Sequence, residues 1–379
     1  MWDYQKSRKD PGRQQCRAGK DGRLCALAAA TLLLAQLSVT SAFAAAAYVS
    51  GDGVNFRREG SLESEIITSL SLGTAVECLQ QGEEWSQVRY GDETGYLASR
   101  YLSEKQPEIA VRAESVINGL SGAAAENLYA SRETVSFDSS WPYAANSKIN
   151  SGQALRYRTS AARRGITVCV NAGHGTSGGG KVKTLCHPDG SPKVTGGSTA
   201  AGATTATAVS AGMEFADGTA ESVVTLKLAG KLRDLLLADG YDVLMIREGS
   251  DIQLDNIART VLANQLADCH IAIHWDSTES DKGAFFMSVP GTVSYRSMEP
   301  VASHWQQHQA LGESLIAGLS EAGVKIFSSG QLEMDLTQTS YSTVPSVDIE
   351  LGDKRSDTSD AALNRLAAGL MAGVDKFFQ

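Results

Sequence analysis

Cysteine is scarce in this chain, with six in 379 residues. None forms a CxxC pair, so zinc-ribbon spacing is absent. Beyond the first 44 residues only Cys78, Cys169, Cys186 and Cys269 remain, far apart. They read as buried small residues, and export would permit a disulfide without requiring one. Basic residues are outnumbered, 34 Lys and Arg against 43 Asp and Glu, for a formal net charge of −9. An acidic balance argues against nucleic acid as a partner. Long apolar runs are also missing, apart from Leu24 to Val39, which contains Gln36 and is short for a membrane span. Charged residues at 20% and aromatics at 7% fit a chain that is mostly globular.

The first segment has the build of a targeting signal. Lys6, Arg8, Lys9, Arg13, Arg17, Lys20 and Arg23 precede the apolar stretch, and Ala42-Phe43-Ala44 is a small-x-small cleavage site. Residues 1–44 are therefore expected to be a signal peptide, giving a secreted, extracytoplasmic protein. Contact with membrane is expected only through this segment, if it stays uncleaved. Cys25 precedes the apolar core, so a lipid anchor on it is not expected. The segment holds seven basic and three acidic side chains, so its removal leaves the rest more acidic still.

Residues 47–103 alternate in short runs, Val54–Arg57, Ile66–Leu70, Ala75–Leu79, Ser86–Tyr90 and Gly95–Leu97, separated by Gly73-Thr74, Gly82-Glu83 and Gly91-Asp92. This pattern predicts a small all-β unit. Residues 104–164 read as a helical or irregular linker, with helical spacing over 109–128 and a Ser-, Asn- and Ala-containing stretch over 139–152. From Gly165 onward strands alternate with helices, which predicts an α/β domain: a mixed, largely parallel sheet flanked by helices. Its helices are expected over Glu221–Ala238, Leu254–Leu266, Val301–Ala322 and Ala361–Phe378, and its strands over Ile166–Val170, Tyr241–Arg247, Cys269–Ile273, Ala284–Val289 and Pro345–Leu351.

Two of those strands run out into histidines. Ile166–Val170 leads to Asn171-Ala-Gly-His174-Gly175, and Cys269–Ile273 leads to His274. Functional groups collect where parallel strands end at their C-terminal side. Two imidazoles at that edge, with a carboxylate, would make a metal site with an open position, as zinc hydrolases require. Glu221, in the first turn of a predicted helix, fits the third place, with Glu214 as runner-up; a helix-start Glu also simply complements the macrodipole. Glu350 ends a late strand at the same edge and could serve as base and acid in turn. Asp348, one repeat deeper on that strand, reads as structural. His270 stands four residues before His274, roughly 13 Å away along a strand, and reads as structural too. His187 reads as a surface residue, and His304 with His308 as ordinary helix positions. Arg259 and Asn264 are expected to hold loops or pair with carboxylates.

Two resemblances draw these readings together. Asn55-Phe-Arg57, Leu72-Gly73, Glu84-Trp85, Gln87-Val-Arg-Tyr90 and Gly95-Tyr-Leu-Ala-Ser-Arg-Tyr-Leu102 resemble the bacterial SH3 (SH3b) family, small barrels that commonly bind cell-wall peptides. Trp85, Tyr96 and Tyr101 are then either wall contacts or core fillers. Asn-Ala-Gly-His174-Gly, Glu221 with Leu226, Leu228-Ala229 and Leu232, Gly240-Tyr-Asp-Val243 with Arg247, Arg259 with Ala263-Asn264, Ile273-His274 and Pro345-Ser-Val-Asp-Ile-Glu350 resemble the zinc-dependent N-acetylmuramoyl-L-alanine amidases, the amidase_3 family, over residues 165–379.

That resemblance implies Zn2+ held by His174, Glu221 and His274, and places Glu350 on the family's catalytic glutamate. It implies peptidoglycan as partner and hydrolysis of the amide between N-acetylmuramic acid and L-alanine. Three departures stand out: Asn171 where the family usually has Asp, a long insert over 176–218 expected to shape or cover the cleft, and Leu351-Gly-Asp-Lys where an aromatic usually follows the glutamate. Two other readings stay open, a zinc peptidase acting on the stem peptide and a non-catalytic wall-binding protein with a degenerate amidase domain. The four intact positions weigh against the second.

Overall fold

A computed structural model describes residues 45–51, 54–70, 72–106 and 128–379. The expected signal peptide, and all but the last residue of the helix expected over 109–128, lie outside the described residues.

Residues 45–103 form one sheet of seven short strands: β1 (Ala45–Val49), β2 (Val54–Arg57), β3 (Ile66–Leu70), β4 (Ala75–Gln80), β5 (Trp85–Tyr90), β6 (Glu93–Ala98) and β7 (Leu102–Ser103). Their order is β3-β2-β6-β5-β4-β1-β7, and all the pairings are antiparallel. Alternation puts Val49, Phe56, Val88 and Leu97 in a fully buried core. Phe56 is thus the large apolar filler. Trp85 is half-buried outside that core, packed on Gly60 together with Tyr96.

The second sheet has eight strands: β8 (Tyr129–Ser136), β9 (Gln153–Thr159), β10 (Thr167–Ala172), β13 (Asp242–Met245), β14 (Cys269–Asp276), β15 (Ala284–Ser288), β16 (Ile326–Glu333) and β17 (Ser346–Asp353). The remaining pair, β11 (Lys183–Leu185) and β12 (Thr205–Thr207), forms a separate hairpin within the insert. In the order β16-β15-β17-β14-β10-β13-β9-β8, the four central strands β17, β14, β10 and β13 are mutually parallel. Antiparallel pairing brings β15 to one side and β9 with β8 to the other. The result is the mixed, helix-flanked sheet that the alternation of elements predicts.

One expectation is corrected. The stretch read as a helical or irregular linker supplies two strands to this sheet, β9 paired with β13 and β8 outside it at the edge. Alternation in β8 is carried by Tyr129 and Val135, with Arg132 and Glu133 between, so its apolar signal is faint. It pairs only on one side and is mostly exposed.

Helices Glu221–Ala238, Val301–Glu321 and Asp360–Phe377 cover one face, burying Leu228, Leu232, Leu315, Leu363 and Leu370 against Val170, Ile271 and Ile349. Helix Asn256–Leu266 covers part of the other, with Ala258 and Leu262 against Cys169 and Leu244. Each fully buried leucine contributes about 1.5–3 kcal/mol. Cys169 and Cys269 lie in different cores, on opposite faces of neighbouring strands, and the four described cysteines are free.

Under the sheet lies a second histidine pair. His270 Nε2 meets the Asn171 amide at 3.2 Å and its Nδ1 meets Ser346 Oγ at 3.3 Å. His308 Nδ1 accepts the Ser346 N–H at 3.0 Å. His304 bonds the Pro300 carbonyl instead, so the two helix histidines do not converge on a common ligand. Burial, with Arg259 and His308 nearby, lowers the His270 pKa from 6.5 to about 3. Burial, with His304 nearby, does the same to His308, again to about 3.

These imidazoles are held neutral in the folded protein and charge freely in the unfolded chain. Their contribution is present above pH 6.5, begins to be lost as pH falls below it and is gone near pH 3. Melting temperature is therefore expected to drop across that window. His308→Asn, measured in the same pH series, is expected to flatten the drop.

Candidate metal centre

The three parallel strand ends bring the predicted residues to one edge. β10 ends at Ala172, and the chain turns through Gly173 to His174, whose φ of 64° is left-handed. β14 carries His274, paired in register with Glu350 of β17. Glu221 is the first residue of its helix, as expected. His174 and Glu221 are buried, at 7% and 2% exposure.

Their donor atoms form a near-equilateral triangle. His174 Nε2 lies 2.9 Å from Glu221 Oε1. His274 Nδ1 lies 3.2 Å from the same oxygen and 3.0 Å from His174 Nε2. Two ring nitrogens and a carboxylate oxygen this close are repelled lone pair against lone pair unless a proton or cation sits among them. Tetrahedral zinc with bonds of about 2.0–2.1 Å needs donors roughly 3.4 Å apart. The residues therefore fit zinc in identity, number and spacing. Among the described residues this is also the cluster whose ligand atoms could hold a metal.

Each donor is aimed by a further contact. His174 Nδ1 bonds the Ser210 carbonyl at 2.9 Å, which turns Nε2 inward. Glu221 Oε2 accepts the Met213 N–H and Oε1 the Trp275 N–H, both at 2.9 Å. Two glycines make room. A Cβ at Gly173 would sit 2.3 Å from the His274 ring, and one at Gly212, where φ is +85°, would sit 2.8 Å from Glu221 Oε2. Behind the first histidine loop, buried Arg247 donates to the carbonyls of Ala172 and Gly173, and buried Arg259 to those of Ala172 and His174. Burial lowers them to about 10 and about 9. Arg259 also donates to Asn171 Oδ1, while the Asn171 Nδ2 faces His270. An amide can serve both neighbours at once, one as acceptor and one as donor. Asn264 holds the Tyr341 carbonyl and the Thr343 N–H. Both helix residues are loop holders, as expected.

Electrostatically the centre is short of positive charge. Burial opposes ionisation of Glu221, but hydrogen bonds from His174 and His274 outweigh it and hold the carboxyl well below its usual range. Burial likewise opposes the His274 cation, but Asp348, Glu221 and Glu350 outweigh it and raise the group to about 10. Burial, reinforced by Asp348, pushes Glu350 well above the usual carboxylate range. Its Oε2 is buried with no hydrogen-bond partner among the described residues. A cavity of about 650 Å³ opens over these groups, lined also by Asn256, Met287, Leu336 and Gln338.

Two side chains have surroundings that the local sequence does not show. Asp348, read as structural from one repeat deeper on its strand, lines the cavity, with Oδ2 3.6 Å from His274 Nε2. His274 and Glu350 sit at neighbouring strand ends, so one repeat back along a pleated strand is still beside the ring. His187 is not on the surface. It is buried at 1% exposure and bonds Asp335 at 3.1 Å, away from the metal cluster. Asp335 lies 148 residues further on, so no local pattern announces the pair. The runner-up Glu214 joins a two-residue bridge to Ala220 and stands outside the cluster.

The insert forms one wall of the cavity, with Lys193, Gly197, Thr199, Thr207 and Val209 facing it. Asp335 latches it down. This carboxylate accepts from His187, Lys193, the Val194 and Thr195 N–H groups and the Thr195 hydroxyl. Burial opposes its charge, but those hydrogen bonds prevail and keep it well below the usual range.

A buried Glu between two histidines at the C-terminal edge of a parallel sheet, with an open cavity and a nearby carboxylate oxygen without a partner, is a cluster that could hold a metal, of the kind a hydrolase uses. The N-acetylmuramoyl-L-alanine amidase family model (Amidase_3) matches residues 168–375, and the chain belongs to that family. A bacterial SH3 domain model matches residues 52–103. Among solved structures the chain is similar to the amidase Ami1 from Mycobacterium smegmatis, at 18% identity over 57% of this chain and 98% of that one, with a TM-score of 0.46. It is also similar to AmiC2 of Nostoc punctiforme, at 16% identity over 57% and 99%, with a TM-score of 0.41. The CwlD amidase from Clostridioides difficile, solved in complex with the GerS lipoprotein, is a third, at 18% identity over 56% and 98%, with a TM-score of 0.39. No curated protein matches the chain.

Removing the Asp335 carboxylate strips buried Lys193 of its counter-charge and His187 Nε2 of its partner, a change that costs roughly 3–5 kcal/mol in such settings. Asp335→Ala is expected to loosen the insert, so that trypsin cuts near Lys181, Lys183 or Lys193 under conditions that leave the wild type whole. Mass mapping of the fragments checks this.

Proposed function

We propose that this protein is a zinc-dependent peptidoglycan amidase that cleaves the amide between the lactyl group of N-acetylmuramic acid and L-alanine. The observation that carries the reading is the triangle of donors from His174, Glu221 and His274, with the unpartnered buried oxygen of Glu350 beside it in one cavity. Family membership supplies the substrate class.

Zinc, when bound by those three residues, supplies Lewis-acid polarisation of water and of the amide carbonyl. Glu350 takes the proton as water attacks and returns it to the departing alanine nitrogen. The same burial and neighbouring carboxylates that favour its protonated form suit it to the second half of that task. The cavity wall built by the insert sets which stem peptides enter. The SH3 unit adds a second contact to the wall, and tethering of this kind raises effective concentration at an insoluble substrate. Half-buried Trp85 and Tyr96, outside the apolar core, are available for that contact. The protein then works outside the cytoplasm, where its substrate is.

The test is mass spectrometry of muropeptides digested by the zinc-loaded protein beside Glu350→Gln. Wild type is expected to release stem peptides with a free L-alanine amine. The variant is expected to keep zinc and lose about 10²–10⁴-fold in turnover. Cuts inside the stem would show a peptidase instead, and undiminished turnover in the variant would remove Glu350 from its role. Deleting residues 47–103 is expected to weaken sedimentation with purified wall while sparing activity on soluble fragments. Equal sedimentation would remove the tethering role.

A further inference from the structure

We infer that Asp348 is a positioning residue for the metal centre, holding the His274 imidazole in the tautomer that leaves Nδ1 free for zinc. The inference rests on the zinc reading of the site given above.

His274 presents its two nitrogens to different groups. Nδ1 faces inward, 3.0 Å from His174 Nε2 and 3.2 Å from Glu221 Oε1. Nε2 faces the other way, 3.6 Å from Asp348 Oδ2. A neutral imidazole carries one N–H, so a lone pair at Nδ1 requires the hydrogen at Nε2. A carboxylate at that distance favours this placement by its charge, and a slight approach would add the hydrogen bond that fixes the ring plane. His174 receives the same service from a different group, the Ser210 carbonyl on its Nδ1. The two ligands are thus oriented in mirror fashion, one through a backbone oxygen and one through a side chain.

The fold itself gives no other reason for a carboxylate here. Asp348 sits on a central strand between Val347 and Ile349, which are buried in the opposite, apolar face. Its side chain is only 16% exposed, and His274 is its one polar partner among the described residues. Carboxylates this buried are retained where a cation or hydrogen-bond donor compensates their desolvation. Asp348 cannot be a fourth ligand in the same arrangement, because it meets the ring at the nitrogen turned away from the cluster.

The test is a zinc competition titration of the metal-free full chain against a chromophoric chelator, for wild type, D348A and D348N. D348A is expected to bind zinc about 10–100-fold more weakly, the usual effect of losing such a partner. D348N, whose amide oxygen can still accept from Nε2–H, is expected to keep most of the affinity. Cobalt(II)-loaded protein gives a second readout: the ligand-field bands should shift in D348A and return in D348N. Circular dichroism checks folding, and D348L, which refills the volume, replaces D348A if the alanine variant does not fold. Wild-type affinity in D348A or D348L, or no recovery in D348N, would overturn the inference. A wild type that binds no zinc would instead bring down the metal reading, and this inference with it.

Discussion

The constraint on which the site depends is the burial of Glu221. A carboxylate at 2% exposure needs every lone pair answered. Here one oxygen accepts the Met213 N–H and the other the Trp275 N–H, so the side chain joins the end of the insert to strand β14. The second oxygen also faces both imidazoles. The helix that begins at Glu221 is pressed against the sheet by Val224, Leu228 and Leu232, which fixes its first turn over the strand ends. Packing on one face of a helix thereby fixes where the Glu221 carboxylate stands over the strand ends.

Charge explains the surroundings. Glu221, Asp348 and Glu350 crowd one side of the cluster, and buried Arg247 and Arg259 stand on the other, behind the histidine loop. The guanidiniums donate mainly to backbone carbonyls and brace the loop, and Arg259 also borders the cavity floor. What faces the cavity is therefore a donor set rich in negative charge, the arrangement a dication completes. Asp353, four residues beyond the glutamate motif's Ile349, plays a similar bracing role for the loop after β17, accepting the N–H groups of Lys282 and Arg355. It belongs to the Leu351-Gly-Asp-Lys stretch that follows the glutamate, and hydrogen bonds hold the loop there.

Most of the centre was legible in the sequence because parallel strands impose a rule. His174, His274 and Glu350 each follow a run of apolar residues, and parallel strands deliver their C-terminal ends to one edge. Glu221 was legible only as a helix start, a signal that many surface helices share. What could not be read was pairing across long separations. Nothing local in His187 points to Asp335, and the burial of this pair follows only from the path of the insert. The closeness of Asp348 to the His274 ring was hidden for a different reason. Alternation placed it correctly on the cavity side, but it does not say how far a neighbouring ring leans over the pleat. The strands β8 and β9 were missed because β8, at the sheet edge with one exposed face, carries few apolar residues, and β9 interleaves Arg156 and Arg158 with its buried Ala154 and Tyr157.

The insert is the part of the chain that composition makes look least important, a run of Gly, Thr, Ser and Ala between a ligand and a helix. Its contacts say otherwise. The Ser210 carbonyl orients His174, and the Met213 N–H orients Glu221. Two of the three donors are thus aimed by backbone groups from the last few residues of the insert. Small residues suit this task, since Gly212 lies where any side chain would strike Glu221 or His174. At its other end the insert is fastened through His187 and Lys193 to Asp335, next to Leu336 and Gln338 of the cavity wall. One covalent segment therefore runs from the ligand cluster to the far side of the cleft. A change in the shape of the cleft wall is for that reason also a change in how firmly the donors are held, so the two properties of this chain are coupled through one segment.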